Sequence, residues 1–391
     1  MNNTEQSQNC HFNVSLIMAS HSVEDGGCIY IQKQTNFLFG EVHIFVLSSA
    51  YVVLGCATRL FLGRLPTKIR RLGLFGFLNK VIMNFLVSSH ARKFLEDYRY
   101  RDTQAIVCVS EDIISLAVAS RIKKAKPNVT IHFSMLDLPW SYPARNCYKR
   151  ILRHDFIQLF IKNVDSADFT TEEMASIFHY EGFVGMSLVT YSAIDVIDED
   201  SSGSKVLDSI NDVFAAESNL VYAGSLRASK EFSQFCDALK FSVAPGVKGY
   251  GLDLYGPSDF VHGAVSCYGF IPPKEIIHIL QDYSFGLVPM SFDEEDGELI
   301  RTSFPSKTWL YLSNGIMPIV LAPASAGVSK LINEYSIGVV VSDVKDISAT
   351  LKSLNWIEEY KLAMSNYKNF QISLTQNFKI FREELRVKHN G

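Results

Sequence analysis

The chain has 391 residues, 47% of them hydrophobic, and a formal net charge of −4, enough for two domains with a core each. There is no polybasic tail, so no nucleic-acid partner is expected. The longest apolar run, Val42 to Ala57, is broken by His43 and Ser48-Ser49 and is too short to span a bilayer.

The charge is uneven. Residues 1–195 carry 20 Lys/Arg against 17 Asp/Glu, a balance of +3, and the remainder carries 17 against 24, a balance of −7. Cys10, Cys28, Cys56, Cys108, Cys147, Cys236 and Cys267 are scattered, with no Cys-x-x-Cys and no zinc spacing. A reducing cytoplasm and no metal site are expected from them. The polar first residues, Met-Asn-Asn-Thr-Glu-Gln-Ser-Gln, do not read as a secretory signal.

In chain order, Asn13 to Ala19 predicts a buried strand, followed by a loop and a helix opened by Gly26-Gly27. Further strands are expected at His43 to Leu47, Ala105 to Ser110, Val129 to Phe133 and Ser166 to Thr170, with helices at Ile113 to Ile122 and Thr171 to Tyr180. Strands alternating with helices predict a parallel sheet covered on both faces. Residues 194–218 turn acidic and Ser/Gly-rich, which marks a domain boundary.

The pattern then restarts. Leu220 to Ala223, Gly251 to Tyr255, Ala264 to Tyr268, Phe285 to Pro289, Ile319 to Leu321 and Gly338 to Val341 read as strands. Ser229 to Leu239, Pro273 to Asp282 and Gly327 to Tyr335 read as helices, and Asn369 to Val387 as an amphipathic tail helix that packs back on the first domain. The expected domains are therefore 1–195, 196–368 and a terminal helix, 369–391. Two such α/β domains would face each other across a cleft at the carboxyl ends of their strands.

Residues 303 to 320 carry the most information. Thr302 and Ser303 can cap a helix, Pro305 suits its first turn, and Asn314-Gly315 ends it with a left-handed residue. Lys307 lies in the first turn, where a cation and hydroxyls beside free amides suit an anion. The alternative is an ordinary helix with a solvated lysine.

The second half resembles the nucleotide-sugar-binding domain of two-domain, GT-B-type glycosyltransferases, and is similar to the bacterial group of retaining, family-4-like enzymes (glycosyl transferases group 1). The resemblance rests on Val221-Tyr222-Ala223-Gly224-Ser225-Leu226 with Lys230, on Leu254-Tyr255-Gly256, and on Cys267-Tyr268-Gly269-Phe270-Ile271-Pro272. It continues through Tyr283 to Pro289 and Phe304-Pro305-Ser306-Lys307 to Gly315 and Pro318-Ile319-Val320, about 120 residues in all. The first half agrees more loosely, through Gly26-Gly27, Ala167 to Thr171 with Met174, and Val189 to Asp195.

The resemblance implies two Rossmann-like domains and transfer of a sugar, of the hexosyltransferase type, from a nucleotide-sugar to a saccharide or lipid-linked acceptor in bacterial surface polysaccharide synthesis. It implies no cofactor beyond the nucleotide-sugar as co-substrate. Lys230 matches the lysine that binds the donor diphosphate. Ser225 stands near the place of the family's arginine, and Arg227 would substitute from the same loop. Lys307, with Ser306 and Tyr311, resembles a second phosphate-side group. Phe270 and Ile271 occupy the base-cradling segment, and Gly26-Gly27 match the loop that approaches diphosphate and acceptor. One departure stands out: the family's paired glutamates would fall at Thr302 and Leu310, neither of them acidic. Their work would pass to the loop Asp293-Glu294-Glu295-Asp296-Gly297-Glu298. Otherwise the chain is a glycosyltransferase-like scaffold subunit.

Asp137, after the strand Val129 to Phe133, is a candidate for the acceptor's base, with His132 and His21 as weaker ones against a buried structural role. Residues 59–86 hold six basic residues and no acid among Phe, Leu and Ile. That suits either an anionic membrane surface or an ordinary helix pair packed on the sheet. Dinucleotide, nucleoside-triphosphate and serine-hydrolase motifs are absent from the sequence. A sugar-nucleotide epimerase, with the same two-domain architecture, is the third reading.

Overall fold

The computed structural model describes residues 14–18, 38, 42–46, 74–109, 113–140, 146–191, 220–226, 228–241, 251–293 and 297–390. The chain divides into two compact units. One comprises Met1–Phe169, Ala175–Val189 and Phe378–Gly391, the other Thr170–Met174 and Thr190–Asn377.

The first unit is built on a six-stranded sheet, with strands β1 (Val14–Met18), β2 (Val42–Val46), β3 (Ala105–Val109), β4 (Thr130–Met135), β5 (Ser166–Phe169) and β6 (Met186–Val189). Their order is β2-β1-β3-β4-β5-β6, and every neighbouring pair is parallel. Between them run α1 (Leu74–Glu96), α2 (Ile113–Ala125), α3 (Asn146–Asn163) and α4 (Glu172–Tyr180). Parallel strands need such crossovers, and these cover the sheet.

The register of β4 on β5 separates two chemistries. Phe133 lies opposite Ala167 and Met135 opposite Phe169, so one face of this pair is apolar. There Phe133 meets Phe156 and Phe160 edge-on at 5.6 and 5.4 Å, and Phe160 lies 4.5 Å from Phe178. Each fully buried phenylalanine of this cluster contributes roughly 1.5–3 kcal/mol relative to an exposed one. On the alternate positions His132 lies opposite Ser166 and Ser134 opposite Asp168. All four are buried and hydrogen-bonded to one another: His132 Nδ1 to Ser166 Oγ at 2.9 Å, His132 Nε2 to Asp168 Oδ1 at 2.7 Å, and Ser134 Oγ donating to Asp168 Oδ2 at 2.9 Å. A buried polar group costs little only when partnered in this way. The ring of Phe381 lies 6.1 Å from that of His132. It belongs to the last helix of the chain, whose residues from Phe378 onward are part of this unit.

The second unit repeats the plan. Its strands are β7 (Leu220–Ala223), β8 (Leu252–Tyr255), β9 (Val265–Cys267), β10 (Phe285–Pro289), β11 (Met317–Leu321) and β12 (Val339–Val341), in the order β12-β11-β10-β7-β8-β9, all parallel. The helices are α5 (Ser229–Phe241), α6 (Pro273–Leu280), α7 (Gly297–Thr302), α8 (Lys307–Ser313), α9 (Gly327–Tyr335), α10 (Ile347–Ser353) and the 35-residue α11 (Trp356–Asn390).

Two local expectations change. Thr302 does not cap α8; it ends α7, buried, with its hydroxyl donating to the Glu298 carbonyl at 2.8 Å. Pro305 stands before the first turn of α8 rather than in it, because Ser306 occupies the N-cap position, without a side-chain cap bond. The expected C-terminus holds: Gly315 has φ 74°, Gly315 N–H donates to Leu312 and Ile316 N–H to Tyr311, the double bond of a Schellman motif.

Gly286 in β10 is required by packing. A Cβ there would stand 2.4 Å from Cδ2 of Tyr311. Gly286→Ala is therefore expected to cost about 1–3 kcal/mol by overpacking, seen as a lower Tm of the second unit by calorimetry. An unchanged Tm would show that Tyr311 has room to move.

Candidate functional site

In the second sheet the strand order reverses between β7 and β10, and in open α/β sheets ligands bind outside the carboxyl ends of the strands at such a reversal. β7 ends at Ala223 and β10 at Pro289. After β7 the chain turns through Gly224, whose φ of 121° is a glycine conformation. Its N–H donates to the Tyr255 carbonyl at 2.9 Å. A Cβ on Gly256 would lie 2.4 Å from the Gly224 oxygen, so two glycines let the turns after β7 and β8 lie against each other.

α8 brings the first cation to this turn. Residues four apart on a helix share a face, and Lys307 and Tyr311 use theirs to grip β7. Tyr311 is fully buried, and its hydroxyl accepts the Ala223 N–H at 2.9 Å. Lys307 Nζ donates to the Tyr222 hydroxyl at 2.6 Å and lies 3.8 Å from the centre of that ring. The Tyr222 hydroxyl in turn donates to the Ser225 carbonyl at 2.5 Å. On the opposite side of α8, Trp309 stacks between Phe304 at 5.0 Å and Phe370 at 5.5 Å. A seven-residue helix is thus locked from both sides, and the ammonium of Lys307 is placed rather than merely tethered.

The second cation arrives with α5. Lys230 is exposed and lies 3.5 Å from Asp293 Oδ1. The next residue, Glu231, is buried, and its Oε1 accepts the Phe292 N–H at 3.1 Å. Two consecutive residues of α5 therefore hold two consecutive residues of the segment after β10, across the same reversal. The exposed ion pair itself contributes little stability, so an incoming anion competes for Lys230 at small cost.

Around β8 and β9, Tyr268 stacks on Tyr255 at 5.0 Å, and Tyr283 donates to Asp253 Oδ2 at 2.7 Å while its hydroxyl meets that of Tyr255 at 2.9 Å. Burial pushes the Tyr283 phenol well above its usual range. Gly269, with φ 79°, separates this cluster from Phe270, which is 67% exposed, and the half-buried Ile271.

Of the residues expected from sequence, Ser225, Lys307 and Tyr311 come together at the turn after β7. Tyr311, expected at the donor, is completely buried and spends its hydroxyl on the Ala223 amide; it supports the turn from beneath. Ser306 is exposed at the start of α8. In the first unit Asp137 follows β4, half-buried. His132 has both ring nitrogens bonded inside the fold, a buried structural role. Gly26, Gly27, Arg227, Glu294, Glu295 and residues 59–73 lie outside the described residues. Tyr222 and Glu231 were not among the expected site residues. The signal was a lone hydroxyl in the apolar strand Leu-Val-Tyr-Ala and a glutamate beside a matched lysine.

Residues 220–382 match the family described as glucosyltransferase 3-like, C-terminal domain. No curated protein matches the chain. Among solved structures, Anabaena HepE in complex with UDP-glucose has a TM-score of 0.61 at 11% identity, over 96% of this chain and 100% of that one. The fold is of the GT-B type. The α,α-trehalose 6-phosphate synthase of Burkholderia multivorans has a TM-score of 0.54 at 10% identity, over 97% and 96% of the two chains. The N-terminal domain of Candida albicans trehalose-6-phosphate phosphatase has one of 0.58 at 12% identity, over 97% of each. Among the described residues no helix is long and apolar enough to cross a membrane, and no group of three His, Cys, Asp or Glu could hold a metal ion.

Proposed function

We propose that this protein is a nucleotide-sugar-dependent glycosyltransferase of the retaining, family-4-like kind. It moves a hexose to a saccharide or lipid-linked saccharide in bacterial surface polysaccharide synthesis, at the cytoplasmic face of the membrane. The observation that carries the reading is the paired cation arrangement at the β7–β10 reversal, inside the segment that matches a glucosyltransferase domain. Lys307 stands on the turn after β7, and Lys230 lies beside the segment after β10.

In this reading the diphosphate of the donor sits at the reversal, with Ser225, Ser306 and Arg227 beside it and Phe270 and Ile271 near the base. An acceptor hydroxyl attacks the anomeric carbon, the bond from that carbon to the phosphate oxygen breaks, and the diphosphate leaves with the electron pair. Negative charge grows on the leaving group, where a fixed ammonium stabilises it without reorganising. Asp137 is assigned to take the hydroxyl proton, Glu294 and Glu295 to face the sugar, and Gly26-Gly27 to approach the diphosphate. The basic stretch 59–86 is assigned to an anionic membrane surface.

One observation favours a second reading, a scaffold subunit without transfer activity. Where the family carries paired glutamates, Thr302 is buried with its hydroxyl bonded to Glu298, and Leu310 has no charge. Thermal shift with UDP, GDP and dTDP and their glucose conjugates separates the two. A ligand at a hundredfold over its Kd adds about 2.7 kcal/mol of stability, read as a rise in Tm of several degrees. No rise with any of the six favours the scaffold.

A further inference from the structure

We propose that Tyr222 is the positioning residue of the donor site: its hydroxyl joins the Lys307 ammonium to the turn after β7, so that both meet the diphosphate already aligned. The inference rests on the nucleotide-sugar reading above and adds to it a residue that carries no charge and is only 1% exposed.

The direction of the hydrogen bonds is forced. An ammonium has only hydrogens to give, so Lys307 Nζ donates and the phenol oxygen accepts, at 2.6 Å. The phenol hydrogen must then point elsewhere, and it points to the Ser225 carbonyl, 2.5 Å away. That carbonyl is thereby turned toward Tyr222. In a trans peptide the carbonyl and the following N–H point to opposite sides, so the Leu226 N–H is turned away from Tyr222. One hydroxyl thus fixes two donors, a lysine ammonium and a backbone amide. Both are of the kind that holds phosphate oxygens.

A lysine on a flexible stem would lose its rotamer freedom on each binding event. Here the loss is already incurred in folding: the stem leaves a helix locked by Trp309 and Tyr311, and the head rests on the ring and hydroxyl of Tyr222. Preorganisation of this kind raises affinity by lowering the cost of ordering. Phenylalanine at position 222 would keep the ring and the 3.8 Å cation–ring contact while losing the relay, so it isolates the hydroxyl with the fold retained.

The test uses the full chain with Tyr222→Phe, Lys307→Met and the double variant. Dissociation constants for UDP and inorganic pyrophosphate are measured by calorimetry, and acylation of Lys307 by a soluble ester is followed by mass spectrometry. Tyr222→Phe is expected to weaken both ligands about three- to tenfold, to speed Lys307 acylation several-fold, and to cost clearly less in the Lys307→Met background. Wild-type affinity in Tyr222→Phe overturns the proposal. So does an equal loss in both backgrounds with unchanged acylation, which would mark a merely structural tyrosine. A wild-type chain that binds neither ligand removes the nucleotide-sugar reading instead, and the acylation rates then still decide whether Tyr222 holds Lys307.

Discussion

Lys307→Ala is expected to weaken donor and nucleoside-diphosphate binding by about tenfold to a hundredfold, with only a modest fall in Tm. The magnitude follows from the interaction removed. A hydrogen bond to a charged group is worth roughly 1.5–3 kcal/mol, and about 1.4 kcal/mol is a factor of ten in Kd. Stability should fall modestly, because the bond to the Tyr222 hydroxyl and the cation–ring contact are lost while α8 stays held by Trp309 and Tyr311, which are buried on opposite sides of it. Lys230→Ala should weaken binding less, because that lysine is exposed and already shared with Asp293. Calorimetric titration of both variants against the nucleotide that stabilises the wild type gives the comparison. Unchanged affinity in both would remove the phosphate from this place in the fold.

Asp168→Ala is expected to have the largest effect on stability. Asp168 accepts from Ser134 and is bonded to His132 Nε2, and all three side chains are buried between β4, β5 and the end of α11. Removing the carboxylate leaves the Ser134 hydroxyl and His132 Nε2 without this partner in a buried site, at about 1–3 kcal/mol each. For a unit of this size that lowers Tm by roughly 10 °C. Asp168→Asn, which keeps an acceptor oxygen, should recover part of the loss. A calorimetric scan checks both, and a Tm like the wild type's for Asp168→Ala would show that the network contributes nothing to the fold.

The two variants probe different kinds of information. Much of the fold is legible along the chain. Leu220–Ala223, Phe285–Pro289 and Gly327–Tyr335 have the bounds expected from sequence, because each is an apolar pattern closed by turn residues on both sides. The remaining strands deviate mainly at their ends. The elements that escaped are those whose stability comes from neighbours. β6 is a four-residue edge strand with half-exposed residues. The sequence does not mark α3 as a helix, although its Phe156 and Phe160 complete the aromatic core beside β4. α7 reads as loop and cap in the sequence, because Thr before Ser and Pro resembles a helix start. Its carbonyl-bonded Thr302 shows that the chain was instead ending one helix before beginning another.

The site divides in the same way. Lys230, Lys307 and the glycine at the end of β7 could be named from residue type and order, since a cation beside a glycine turn in an α/β pattern carries its chemistry locally. Tyr222 could not, for its partner lies 85 residues away, and neither could Glu231, whose partner lies 61 residues away. Local pattern determined which segments are strands and helices and where charge is available. Only the folded sheet, by setting β7 beside β10 and laying α8 across them, decided which of those charges are held still. A hydrogen bond has a range of about 3 Å, and the spacing of residues along a chain does not say which of them come within it.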